Sequence, residues 1–287
     1  MNSNRKTYSV GIVGAGRIGA GFDGPSSSRI LTHAHAVQRN ARLELVGLVD
    51  ANHTLGKREA GRWHTRFFST VEDLFSHAHP DIVVIATPDT THVSLLEKFA
   101  KYHAALIICE KPVATNKKEA ALVTRLSLPP VIVNYSRRFD PVTAKVGNDI
   151  ARGLYGKIIA VHGIYTGELL HNGSHLIDLA RFLLGKDAEK MTLTHGDARA
   201  YSLFELDILA EKARLRFIDG GTRLILERPQ KDPVYVGFRS LGKAHILDTR
   251  LQEALPALYR HAVAVLERKE APSPSLVEAL QSEHSLL

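Results

Sequence analysis

Four short stretches of this 287-residue chain carry side chains that could do chemistry. Glu110-Lys111-Pro112 sets a lysine directly after the apolar run Ala105-Leu106-Ile107-Ile108-Cys109, which reads as a buried parallel strand. The carboxyl edge of such a sheet is where open α/β proteins bind ligands, and the proline suits a sharp turn. Taken alone, the motif could equally be a strand exit with a solvated lysine. Gly14-Ala15-Gly16-Arg17-Ile18-Gly19 also follows an apolar run. Its glycines permit a tight turn, close approach of a pyrophosphate and close helix–strand packing. Asp50 closes the run Leu43–Val49 and could accept hydrogen bonds from adenosine ribose hydroxyls, which favours NAD over NADP. It could instead cap the following turn. Arg58 and Arg62 keep NADP open, because they could reach a 2′-phosphate. Thr87-Pro88-Asp89-Thr90-Thr91-His92 could present its backbone to the nicotinamide half of a dinucleotide, with His92 either at the ligand or merely opening a helix.

The fourth stretch is His171-Asn172-Gly173-Ser174-His175-Leu176-Ile177-Asp178. On a helix starting near Ser174, His175 and Asp178 share a face. Imidazole, with an unperturbed pKa of about 6.5, takes or gives a proton near neutrality. His171 and His175 could reach one metal ion, but Gly173 disfavours a continuous helix and no third ligand is evident, so no metal is expected.

The elements that must position these residues alternate in the first half. Strands are predicted over Ser9–Val13, Leu43–Val49, Asp81–Ala86, Ala105–Cys109 and Pro130–Asn134, with helices near Ile30–Arg39, Thr91–Tyr102 and Asn116–Leu126. Ser69-Thr70-Val71-Glu72 has capping-box spacing and predicts a further short helix. This rhythm implies a doubly wound parallel sheet. Asp50 lies 31 residues beyond Gly19, where about 20 is usual. The excess falls in residues 20–28, rich in Gly, Pro and Ser, and predicts an insertion that is either a loop over a ligand or a tolerated surface loop.

After Tyr135 the rhythm changes. Helices are predicted near Pro141–Arg152 and Ser174–Leu184, and a strand near Lys157–Tyr165. Alternating segments near Met191–His195, Ala198–Ile208, Ala213–Ile218, Arg223–Glu227 and Val234–Phe238 read as an antiparallel sheet with one wet face. Leu251–Glu267 and Ser275–Ser282 read as helical. The expected division is a nucleotide-binding domain over 1–134 and a substrate and oligomerisation domain over 135–287.

Composition narrows the class. Hydrophobic content of 44% and charged content of 23% suit a globular protein, and no apolar run is long enough to cross a bilayer. The start shows no signal peptide pattern, and the single cysteine, Cys109, fits a reducing cytoplasm. The formal charge of +7 is scattered rather than blocked, which argues against nucleic acid and for a field that favours anionic ligands.

Together these motifs resemble the glucose-fructose oxidoreductase/inositol dehydrogenase/rhizopine-catabolism (Gfo/Idh/MocA) family over nearly the whole chain. The match rests on the glycine fingerprint, the Ala-Thr-Pro turn ending in His92, Glu110-Lys111-Pro112, Gly173-x-His175-x-x-Asp178, and the link Asn134-Tyr135-Ser136-Arg137-Arg138-Phe139-Asp140-Pro141. The resemblance implies a Rossmann domain followed by an α+β domain with a large, mostly antiparallel sheet that often carries dimer or tetramer contacts. It implies reversible hydride transfer between NAD and a secondary alcohol of a sugar, polyol or nucleotide-linked sugar. His175 would be the acid/base and Lys111 the donor to the reacting oxygen, with Tyr135, His171 and Asn172 as substrate contacts. Cofactor contacts would come from Gly14, Gly16, Arg17, Ile18, Gly19, Asp50, Thr87, Pro88, His92, Glu110 and Lys111. One departure stands out: many members carry Asp four residues before the histidine, where this chain has His171. That departure admits an NAD-binding regulator, and the family also admits an NAD-dependent glycosidase.

Overall fold

Ile82–Ile85 and Leu106–Cys109 have no exposed surface at all, as expected of strands covered on both faces. They are β4 and β5 of a six-stranded sheet whose other members are β1 (Tyr8–Val13), β2 (Leu43–Val49), β3 (Phe67–Phe68) and β6 (Val131–Val133). All pairings are parallel, in the order β3-β2-β1-β4-β5-β6. The order reverses between β1 and β4, so the crevice at their carboxyl ends lies between Gly14 and Thr87.

The computed structural model describes residues 6–284, and their contacts divide into two units. Among the described residues the first unit holds 6–136 and 252–284, and the second is 137–251. This differs from a contiguous second domain over 135–287. The last two helices were legible as helices, but they return to the parallel sheet: Val133 N–H donates to the Pro274 carbonyl at 2.9 Å, and Ala279 and Leu280 join the core of that unit.

The connecting helices are α1 (His33–Gln38), α2 (His53–Arg62), α3 (Val71–Ala78), α4 (His92–Phe99) and α5 (Lys117–Val123). Capping fixes several starts. The Thr32 side chain accepts from His35 N–H and delays α1 to His33, while Asn52, Thr70 and Asn116 cap α2, α3 and α5 in the same way.

The second unit contains α6 (Pro141–Ala151), capped by Asp140, and α7 (Ser174–Leu184). Its strands are β7 (Ile158–Thr166), β8 (Met191–Gly196), β9 (Phe204–Ala210), β10 (Ala213–Ile218), β11 (Arg223–Glu227), β12 (Pro229–Lys231), β13 (Arg239–Leu241) and β14 (His245–Asp248). Six of them form a sheet in the order β14-β11-β10-β9-β7-β8, antiparallel except for β7–β8, which α7 connects. Burial alternates along β9 and β10. One face packs Leu206, Ile208, Leu215 and Phe217 with Leu176, Leu179 and Leu183 of α7, while the other carries Arg214–Asp207 and Arg216–Glu227 ion pairs. Val234–Phe238, expected as a strand, is instead the turn between β12 and β13. Back in the first unit, α8 (Ala254–Leu266) and α9 (Leu276–His284) complete the chain. No helix among the described residues is long and apolar enough to cross a membrane.

Candidate active site

The glycine turn separates what the fold demands from what a ligand would demand. Gly14 has φ +103°, and a Cβ there would stand 2.4 Å from the Ala86 carbonyl oxygen. A Cβ on Gly19 would stand 1.9 Å from the Gly14 carbonyl oxygen. Both glycines are thus fixed by packing. Gly16 is different, because a Cβ there would meet nothing within 4 Å. The space kept clear at Gly16 is what a pyrophosphate approaching the backbone requires, so the turn fits a dinucleotide. Arg17 is exposed and Ile18 half-buried on the π-helical turn Arg17–Gly21 that follows.

Asp50 closes on this turn. One carboxylate oxygen accepts from Ala15 N–H at 2.8 Å and the other from Asn52 N–H at 2.8 Å. It therefore does cap the following turn, and its remaining lone pairs stay available for ribose hydroxyls. Arg58 and Arg62 both bind the buried carboxylate of Glu59, and Arg62 also reaches the Asp23 carbonyl. Both guanidinium groups thus already serve the protein itself.

The insertion is an anchored loop. Asp23 is buried, and its carboxylate accepts from Leu31 N–H at 2.6 Å and the Thr32 hydroxyl at 2.5 Å and lies 2.7 Å from His35 Nδ1. Trp63 Nε1 donates to the Ala20 carbonyl at 2.8 Å. Phe22, Pro25 and Ser26 stay exposed above that anchor.

Lys111 is half-buried at the end of β5, and its neighbours are held from both sides. Glu110 Oε1 lies 2.9 Å from His33 Nε2 and accepts from Asn134 Nδ2 at 2.6 Å, while His33 Nδ1 lies 2.9 Å from the Tyr259 hydroxyl of α8. Burial works to raise the Glu110 pKa, but the His33 hydrogen bond and charge, the Asn134 amide and the Lys111 charge outweigh it and hold it below its ordinary value. Beyond the proline, Glu283 on α9 accepts from Val113 N–H at 2.9 Å and Ala114 N–H at 3.3 Å. Burial, with the charges of Glu283 and Glu110, pushes the Cys109 thiol well up, which makes it a core residue and not a nucleophile.

Two expected ligand contacts turn out to belong to this scaffold. His92 is buried, with Nδ1 2.7 Å from the Pro112 carbonyl and Nε2 2.9 Å from the Thr87 carbonyl, so it couples the Thr87-Pro88 turn to the lysine turn. Tyr135 is only 1% exposed, and its hydroxyl donates to Glu283 at 3.0 Å. A ring enclosed in this way supports the turn. His33 and Glu283 escaped sequence reasoning altogether. Asn134 was noticed only within the linking motif, although a polar residue ending an apolar strand was a usable signal.

In the second unit, a π-helical turn, Leu169–Gly173, runs directly into α7. Such turns often occur at functional sites. His175 is half-buried on the first turn of the helix. Asp178 is buried, and its two oxygens accept from Arg138 Nε at 2.8 Å and an Arg138 terminal nitrogen at 2.6 Å. It therefore anchors the linking segment. His171 Nε2 lies 3.3 Å from a carboxylate oxygen of Glu168, so a carboxylate does stand beside the imidazole that occupies the usual aspartate position. Asn172 is exposed, and its amide donates to the Thr166 carbonyl at 2.7 Å.

Residues 8–127 match the family described as "Oxidoreductase family, NAD-binding Rossmann fold" and designated GFO_IDH_MocA. An inositol 2-dehydrogenase of Rhizobium meliloti is 31% identical over 209 residues, covering 66% of this chain and 58% of that protein. The chain thus aligns with less than two thirds of the length of this curated relative. A putative myo-inositol dehydrogenase of Sinorhizobium meliloti shares the fold with a TM-score of 0.71 at 23% identity, over 96% of this chain and 94% of that one. An oxidoreductase of Agrobacterium radiobacter, solved with NAD+, L-tartaric acid and magnesium, shares it with a TM-score of 0.72 at 16% identity, over 97% and 94%. The glycine turn kept clear at Gly16 and the braced lysine turn after β5 thus both fall within the residues that match this NAD-binding oxidoreductase family.

Proposed function

We propose that the chain is an NAD(H)-dependent dehydrogenase or reductase acting on a secondary alcohol of a sugar, polyol or nucleotide-linked sugar, working as a homodimer or homotetramer in the cytoplasm. The observation that carries the reading is the half-buried Lys111, presented by a turn braced at Glu110, Pro112, Val113 and Ala114, in a unit whose Gly16 leaves room for a pyrophosphate. Gly14, Gly16, Arg17, Ile18, Gly19 and Asp50 would hold the nucleotide, and the Thr87-Pro88 turn would carry its nicotinamide end. NAD, when bound, supplies the hydride acceptor.

The chain's own residues then manage the proton and the oxygen. Oxidation of a carbinol requires its hydroxyl proton to leave, and the His175 imidazole is the group assigned to take it. Lys111 Nζ donates to the same oxygen and stabilises the negative charge that develops there. Glu168 orients His171, and Asn172 lines the same end of α7.

The test is turnover of NAD+ across a panel of sugars, polyols and nucleotide-linked sugars. Lys111→Ala and His175→Ala should each lower kcat by about 10²- to 10³-fold while NADH still binds, as fluorescence titration reads. Because both are assigned to one oxygen, the double variant should fall well short of the product of the two losses. Full turnover by either single variant would remove its residue from the mechanism.

A further inference from the structure

A buried cation without a carboxylate is uncommon, because desolvating a charge is costly unless it is paired. Arg137 is half-buried, its Nε is fully enclosed, and it makes no ion pair among the described residues. Its guanidinium lies 3.7 Å from the centre of the Phe204 ring, and one terminal nitrogen donates to the Gly220 carbonyl at 2.9 Å. Its Nε is buried with no acceptor. The loop beside it is shaped to admit the group: Gly221 has φ +85°, and a Cβ there would come within 3.1 Å of Arg137 Nε. Burial pushes the pKa of this arginine down to about 10, still far above neutrality. Asp219, next in the chain to the Gly220 that Arg137 binds, is engaged with Arg223.

Two lines of contact within the second unit bring Arg137 to the His175 end of α7. Phe204, on which it stacks, is the register partner of Tyr165. The Tyr165 ring lies 3.3 Å from where a Cβ of Gly173 would stand, two residues before His175. Arg138, the next residue in the chain, grips Asp178, one helical turn after His175.

We propose that Arg137 is an anchor for an anionic substituent of the substrate, a carboxylate or phosphoryl group met by the guanidinium edge left free by the Phe204 stack. The ring fixes the plane of the guanidinium, so its fork is preorganised for two oxygens of an anion. The substrate class is thereby narrowed to acidic or phosphorylated sugars. This narrowing rests on the oxidoreductase reading above.

The experiment measures kcat and KM with NAD+ for matched neutral, uronate and phosphate-bearing sugars, for the wild type, Arg137→Gln and Arg137→Lys. The expected result is a wild-type preference of about tenfold or more in kcat/KM for one anionic class, weakening with salt. The uronate and phosphate arms identify which anion is read. Arg137→Gln should raise KM for that substrate about tenfold while leaving kcat, and both constants for the neutral analogue, within about twofold. Arg137→Lys should restore part of the loss, and it also serves if the glutamine variant does not fold. Equal constants for neutral and anionic sugars, or a variant whose KM rises equally for both, would overturn the anchor and leave the dehydrogenase standing. Bound NADH with no turnover of any panel member would remove both.

Discussion

The lysine turn of the first unit and the histidine turn of the second are built on opposite principles. Around Lys111, groups from α1, β6, α8, α9 and the start of α4 converge on main-chain and carboxylate atoms, and nearly all of them are buried. The turn that leads into His175 is held near the surface: the Glu168 carboxylate is 79% exposed and its partner His171 39%, and the exposed Asn172 ties back to the end of β7, while Asp178 one turn further on is buried against Arg138. The turn that would face the cofactor is held as a rigid part, while the turn that would face the substrate is held by a π-helical segment and surface contacts.

Glu283→Ala should reveal the rigid side most strongly. It would leave the buried N–H groups of Val113 and Ala114 and the Tyr135 hydroxyl without their acceptor. A loss of about 3 kcal/mol is expected from denaturant unfolding. Glu283→Gln keeps one acceptor oxygen and should lose less. A loss below about 1 kcal/mol for the alanine variant would break the contrast, because the turn would then hold its shape without α9.

The same contrast explains what the sequence disclosed. The strands β4 and β5 were legible because an unbroken apolar run of four to six residues between turn signals has few other uses. The start of α3 was legible for a similar local reason, in the capping-box spacing of Ser69-Thr70-Val71-Glu72, although Thr70, one residue later, is the cap. The Thr32 and Asn52 caps were not read at all. Val234–Phe238 misled because its composition is that of a strand. There Asp232 captures the N–H groups of Val234 and Tyr235 and Gly237 takes φ +88°, so the apolar residues end up on an exposed turn, with Val236 fully exposed. The bracing of Lys111 left no periodic trace, since His33 and Glu283 reach the turn across 77 and 170 residues of chain. Pairing over such separations is a property of topology. In the second unit, by contrast, Glu168 lies only three residues from His171 and was still missed, because its position matters only through the π-helical turn between them.

Gly16→Ala sharpens the comparison from the ligand's side. With open space around that Cα, stability should change by no more than about 0.5 kcal/mol, while the Kd for NADH rises about tenfold because the methyl group occupies the pyrophosphate's place. Gly19→Ala is the control: its Cβ would overlap the Gly14 carbonyl, so folding itself should suffer. Unchanged NADH affinity in a folded Gly16→Ala protein would move the phosphate site away from this turn.

The smallest effect on stability is expected at Glu168, and it bears most directly on how the histidine turn works. An exposed ion pair three residues apart contributes little, so Glu168→Gln should alter unfolding by less than about 0.5 kcal/mol. Its effect on turnover is the informative one. Where His171 assists the proton transfer assigned to His175, loss of its carboxylate partner should lower kcat/KM by about threefold or more. A kcat/KM unmoved by Glu168→Gln, alongside one strongly lowered by His175→Asn, would show that the imidazole at 171 only fills space there. The substrate-side turn would then depend on His175 alone.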